Sequence, residues 1–460
     1  MIRLPPFAGI VTEPEARKEG LAVQDATAIL HRLAYAKQRL AIAAAVFLPS
    51  TPEWEAKCAL ALHGWTDADH AAMLYARIGE MREPPPLASD VPDEQLCAAL
   101  DDALAAPSTD ARIAALYGAV RPAVTNAIAR YLEQSNPLCD QPTFRMLRTI
   151  TGQDAEIEAW SAAALRAVAQ TDTAHEWQAH LAAALAAAGG IDGRLERSPA
   201  PAPRYTRPYE FDIMPARDER FTTIFDTSTP ADVVYLDPER GADERNAALM
   251  FKRLREMDVP EVIAGIVAER WAEERTSGGR GRPWAYYASM LRQMWDEARH
   301  AMLGQALMEA QGIDWTTLPV NVTFSWKLGK LCTPVERHIL LYAIEQSLMP
   351  RDRGKPYEHR VAEESGNRLS ALFHDYDWAD EVLHVEIARR CLRPELPGGL
   401  TEARERADAL WARITATLER EPPPSDAAAA ADWWPRFARQ VIGRDPLPVP
   451  RTHIKDWRPE

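Results

Sequence analysis

MWDEARHAML at residues 294–303 and WADEVLHVEIA at residues 378–388 decide how this chain is read. Each stretch carries helix-forming residues throughout. Each holds a glutamate and a histidine three positions apart: Glu297 with His300, and Glu381 with His384. Residues three apart share one face of a helix, so each pair aims a carboxylate and an imidazole at the same point. Met294, Met302 and Leu303 flank the first pair, and Val382, Leu383, Val385 and Ile387 flank the second. That setting predicts burial, and a buried carboxylate is costly without a cation beside it. One Glu-x-x-His is a weak signal. Two of them, 84 residues apart and each preceded by a further helix with a Glu, predict a pair of metal ions inside a four-helix bundle.

Such a site needs four carboxylates and two imidazoles, and the two partner helices must each supply one Glu. For the helix before the first motif the candidates are Glu261 and Glu269. Glu261 and Glu297 sit at equal distances from the expected turn, so an antiparallel hairpin brings them level. Asp258-x-x-Glu261 also reads as a capping box. For the helix before the second motif, Glu345 is the charged residue within the apolar run LLYAIEQSLMP. His338 shares its face and reads as a core or supporting histidine. Asp296 and Asp380 precede the two motif glutamates and are placed to bind the free N–H of a ligating histidine. His374 and Asp377 lie on the Glu381 face. Tyr286, Tyr287 and Tyr342 read as core aromatics near the motifs.

The rest of the chain agrees with a helical protein. It has 460 residues, is rich in Ala, and has few glycines outside loops. Its net charge of −14 argues against a nucleic-acid partner, since the chain as a whole has no basic field to attract a phosphate backbone. No apolar run approaches the roughly 18 residues of a membrane span. The N-terminus lacks the pattern of a signal peptide. Five scattered cysteines read as reduced thiols of a cytoplasmic protein. Expected boundaries are a helical domain at 1–195, a Pro-rich linker at 196–240, a metal-binding bundle at 241–420 and a wrapping tail with Trp433, Trp434 and Trp457 at 421–460. DVVYLD (232–237) reads as a strand or an extended arm.

A faint repeat links the halves. At an offset of 230, Trp54 falls on Trp284, Trp65 on Trp295, Asp67 on Glu297 and His70 on His300. Val120 stands where the second half has Glu345. Asp154 stands near the position of Glu381, and Ile157 replaces His384. The first domain is therefore expected to be a degenerate copy.

With these residues in view, the chain resembles the ferritin-like di-iron carboxylate superfamily. It is similar in particular to bacterial ferritin-like proteins of uncharacterised function, and more distantly to di-iron oxygenases and the ribonucleotide reductase small subunit. The resemblance covers residues 243–392 and, through the repeat, part of the first half. It implies an all-α fold with two ferritin-like bundles in tandem, the second carrying the di-metal site. It also implies iron held by Glu261, Glu297, His300, Glu345, Glu381 and His384, with manganese an allowed substitute in one position. The expected activity is a non-haem oxygenase or oxidase that uses O2 on a small organic substrate, with an electron donor where oxygenation requires one. A homodimer is compatible with it. The alternatives are an iron- or peroxide-handling protein without an organic substrate, and a structural relic.

Overall fold

The computed structural model describes residues 4–205, 208–225, 233–277, 281–425 and 433–449. Among these residues there are helices and no strand. The segment read as a possible strand turns instead: Val233 and Val234 lie in a helical turn, and Val234 is fully buried. No described helix is long and apolar enough to cross a membrane.

Contact clustering gives two compact units, neither continuous in sequence. The first comprises Met1–Phe47, Leu62–Glu210 and Trp271–Ala288; the second comprises Leu48–Ala61, Phe211–Arg270 and Ser289–Glu460. Each therefore borrows a short segment from the other half of the chain, which a linear reading of boundaries misses.

In the first unit, α1 (Glu13–Ala16) leads into α2 (Val23–Phe47), which is buried on nearly all sides. Such a helix must form the centre of its unit. The charges it carries are partnered: Arg32 donates to the carbonyls of Ala188, Gly190 and Ile191, and Arg39 pairs with Asp101. Around it pack the later part of α3 (Trp54–Gly79), α4 (Glu94–Ala103), α5 (Thr109–Ile113), a π-helical turn at Ala114–Val120, α6 (Arg121–Gln134), α7 (Gln141–Val168) and α8 (Asp172–Ala187). The Gly189–Gly190 pair ends α8 with both residues at positive φ.

In the second unit, α9 (Ala242–Leu254) and α10 (Asp258–Ser277) are joined by a 3-10 turn at Arg255–Met257. Then come α11 (Trp284–Ala310), α12 (Thr323–Leu331), α13 (Pro334–Ser347), α14 (Lys355–Glu364), α15 (Arg368–Leu392), α16 (Gly399–Arg420) and α17 (Trp433–Ile442). Local sequence sets several starts. Thr333 and Glu336 form a capping box before Pro334, and the Asn367 side chain accepts from the Ser370 amide. Trp433 and Trp434 are buried, with Trp433 4.2 Å from Phe251 between ring centroids. The tail thus closes over the core up to α17; Trp457 lies outside the described residues.

Two glycines bring the site elements together. A Cβ on Gly304 would lie 2.1 Å from the Leu254 amide nitrogen, so α11 can press against the α9–α10 junction only without a side chain there. A Cβ on Gly354 would lie 2.1 Å from the Leu348 carbonyl oxygen. That tight approach sets the start of α14, whose first residue is Lys355.

Candidate metal centre

Both Glu-x-x-His motifs point inward within the second unit. Glu297, His300, Glu381 and His384 are buried on α11 and α15. Their apolar neighbours divide: Met302, Val382 and Leu383 face out, while Met294, Val385 and Ile387 are buried. Glu297 faces both histidines. Its Oε2 lies 3.3 Å from His300 Nδ1 and its Oε1 lies 3.1 Å from His384 Nδ1. Glu381 Oε2 is 3.5 Å and Glu345 Oε1 3.9 Å from the same His384 Nδ1. Ligand atoms of Glu297, Glu345, Glu381 and His384 all fall within 4.8 Å of one another. Overlapping groups follow on the other side of Glu297: Glu256, Glu297 and His300, then His300, Asp377 and Glu381.

The structure therefore brings together five of the six expected ligands and leaves out Glu261. The Glu261 carboxylate lies 2.7 Å from Lys57 Nζ, pairs with Arg217 and accepts from Ser325 Oγ at 2.9 Å. Two buried cations already balance its charge, so no metal is needed there. Glu269 pairs with Arg337. The carboxylate from this part of the chain is Glu256, in the 3-10 turn before α10, with Oε2 3.6 Å from His300 Nδ1. A plain hairpin would bring Glu261 level with Glu297, but the chain presents the turn before α10 to the cluster instead. Tyr286 and Tyr287 belong to the first unit.

The motif aspartates act crosswise. Asp296, beside Glu297, lies 3.5 Å from Nε2 of His384, and Asp380, beside Glu381, lies 3.1 Å from Nε2 of His300. Arg299 ties the two aspartates, 2.9 Å from Asp296 and 2.6 Å from Asp380. Asp380 thus hydrogen-bonds His300 from the other motif, whereas Asp296 approaches His384 Nε2 without a directed hydrogen bond; Nδ1 of each ring faces the cluster.

The donor set fits a cation. Nδ1 of His300, Nδ1 of His384, Oε2 of Glu256 and Oε2 of Glu381 are buried and make no properly directed hydrogen bond, although they converge to within 3.6 Å of neighbouring carboxylate or imidazole atoms. Buried polar atoms ordinarily find partners. Five carboxylates (Glu256, Glu297, Glu345, Asp377 and Glu381) meet two fixed cations, Arg253 and Lys355. Protons fill part of the deficit. Burial works against the imidazolium of His300, but Asp377, Asp380 and Glu297 outweigh it and push its pKa up to about 10. His384 rises well above the ordinary histidine value, against burial, through Asp296, Glu297 and Glu381. Burial and then Glu381 hold the Glu345 carboxyl well above its usual range. Gln293 donates to Glu345 Oε1 at 3.1 Å.

Lys355 is the feature that sequence reading missed. Its Nζ stands 2.7 Å from Glu381 Oε1, 2.9 Å from both Asp377 oxygens and 3.9 Å from Glu256 Oε1. It is fully buried. The Glu256–His300–Asp377 side of the cluster thus holds a tethered ammonium. Nothing in the local sequence RGKPYEH marks Lys355 as inward-facing, and only tertiary structure turns it inward.

The first unit holds a smaller group of its own. Asp67, His70 and Asp154 gather there. His70 Nε2 lies 2.7 Å from Gln153 Oε1, and Gln153 precedes Asp154 as Asp380 precedes Glu381. Lys37 Nζ sits between the carboxylates, 3.0 Å from Asp67 and 2.7 Å from Asp154, and Arg121 lies 2.5 Å from Asp67. No protein-family model matches the chain, and neither a curated protein nor a solved structure does.

Proposed function

We propose that the second unit is a di-metal carboxylate centre of ferritin-like type, that iron is its metal, and that it oxidises a small organic substrate with O2. The carrying observation is Glu297, whose two oxygens face two histidines, one from each motif. A carboxylate so placed could serve both metal positions. One position would use His384, Glu345, Glu381 and Glu297. The other would use His300, Glu256 and Glu297, with Asp377 adjoining. When bound, such ions supply O2 activation and redox equivalents. The protein's own share is to orient the imidazoles through Asp296 and Asp380 and to keep the carboxylates out of water. Lys355 balances charge beside Glu381. The Asp67–His70–Asp154 group supports the duplication reading: a frame of the same plan that carries lysine where the second unit gathers ligands.

The test is metal analysis of the purified chain after loading with Fe(II), with an optical spectrum recorded on exposure to oxygen. About two irons per chain are expected, falling to well below one in His300→Ala/His384→Ala. Two irons retained in that double variant would refute the assignment.

A further inference from the structure

We propose that the cleft beside the C-terminal end of α15 binds the carboxylate or phosphate group of a small anionic substrate. This rests on the reading of the metal centre just given. The cleft encloses about 560 Å³, a volume suited to a small ligand. Four arginines line it: Arg389, Arg390 and Arg393 from α15 and its end, and Arg404 from α16. Glu386 is the one carboxylate among the lining residues. In a chain of net charge −14 this is a marked local reversal.

The partners of these arginines sharpen the point. Several arginines of this unit rest on carboxylates, as Arg240 does on Asp237 and Glu244, and Arg270 on Glu395. In the cleft, Arg390 donates to Ser289 Oγ at 2.9 Å, and Arg389 and Arg404 reach Gln346 Oε1 at 3.3 and 3.5 Å. These acceptors are neutral. The ion pair of Arg389 with Glu386 is long, at 4.0 Å. The positive charge is therefore largely unspent, and guanidinium groups match carboxylate and phosphate in shape. Leu400 and Thr401, in the first turn of the 22-residue α16, also line the cleft, and its N-cap is Gly398, which offers no capping side chain. The Gly398 amide at that helix start already donates to Glu402 Oε2 at 2.8 Å, so the anion would be held by the guanidinium groups. Four guanidiniums repel a ferrous ion, so the cleft does not serve as its route of entry.

The cleft shares two helices with the metal ligands. Tyr342, buried at its floor, lies three residues before Glu345 on α13, about 4.5 Å of helix rise. Arg389 lies five residues after His384 on α15, about 7.5 Å of rise. A molecule anchored by its anionic end spans such distances with a few bonds.

The test is isothermal titration of the full chain with phenyl phosphate, phenylacetate and phenethylamine, in chelator and again after metal loading. At least one anion is expected to bind saturably and the amine not, with phosphate and carboxylate separated by which of the two binds more tightly. Arg389→Gln/Arg404→Gln should weaken that binding about tenfold or more at unchanged metal content and Tm, and Arg393→Gln should weaken it less. Saturable anion binding to a chain that takes up no metal would keep the cleft and overturn the oxidase reading. Two bound irons with no anion binding at millimolar concentration would overturn the cleft alone. Equal binding of amine and anions, or binding unchanged in the arginine variants, would also overturn it.

Discussion

Lys355→Met removes a buried charge while keeping length and apolar bulk. In the wild type the ammonium lies 2.7 Å from Glu381, 2.9 Å from Asp377 and 3.9 Å from Glu256. Taking one partner out of a buried ion pair typically costs about 3–5 kcal/mol, because the remaining charge is stranded. For a unit of this size that is a fall in Tm of roughly 6–20 °C in the presence of chelator. A divalent cation bound on the Asp377 side restores the missing charge. The variant should therefore gain more from Fe(II) or Mn(II) than the wild type does, and its second ion should bind more tightly. Differential scanning calorimetry with and without metal, beside metal analysis, reads both effects. An unchanged Tm in chelator, or equal stabilisation by metal in the two proteins, would show that Lys355 does not stand in for a cation.

Asp296→Asn and Asp380→Asn should each lower metal affinity about 10–100-fold, acting through the histidine of the opposite motif; extended X-ray absorption should show the loss at His384 for the first and at His300 for the second. Lys37→Met should destabilise the first unit by about 3–5 kcal/mol in urea unfolding, since Asp67 and Asp154 lose a cation at 3.0 and 2.7 Å. Gly304→Ala should cost about 1–3 kcal/mol by overpacking against Leu254, and it should weaken metal binding at His300, one helical turn away. Stability in acid should follow His63, which burial drives from 6.5 down to about 3. Between those values the unfolded chain holds a proton the folded one refuses, so stability is full above pH 6.5 and falls as pH drops toward 3, by up to about 1.4 kcal/mol per pH unit. His63→Gln should flatten that part of the pH–stability curve measured by chemical denaturation.

Much of the second unit was legible because periodicity and spacing are local. The helical character of the chain follows from composition and apolar spacing. Glu297, His300, Glu345, Glu381 and His384 follow from charge placed on apolar helical faces. Asp296 and Asp380 were marked by position beside the glutamates, but their crosswise use depends on how α11 and α15 face each other. Glu261 and Glu256 show where local reasoning stops. Both are glutamates near the start of one helix, and which of them faces the cluster is decided by Lys57, Arg217 and Ser325, residues as much as 204 positions away. Lys355 was hidden for the same reason. So were the unit boundaries, because a segment that folds with a distant half of the chain carries no mark of it in its own composition.

Lys37 is a counter-ion joined to the backbone by covalent bonds. It cannot be diluted away, stripped by a chelator or exchanged for a competing element. The unit built around it should keep its fold through iron starvation, whereas the unit around Glu297, if it holds the iron proposed above, would depend on what its surroundings supply. Scarcity would then loosen one part of a single polypeptide and spare the other, so that nutrient status is written into which segment a protease reaches first.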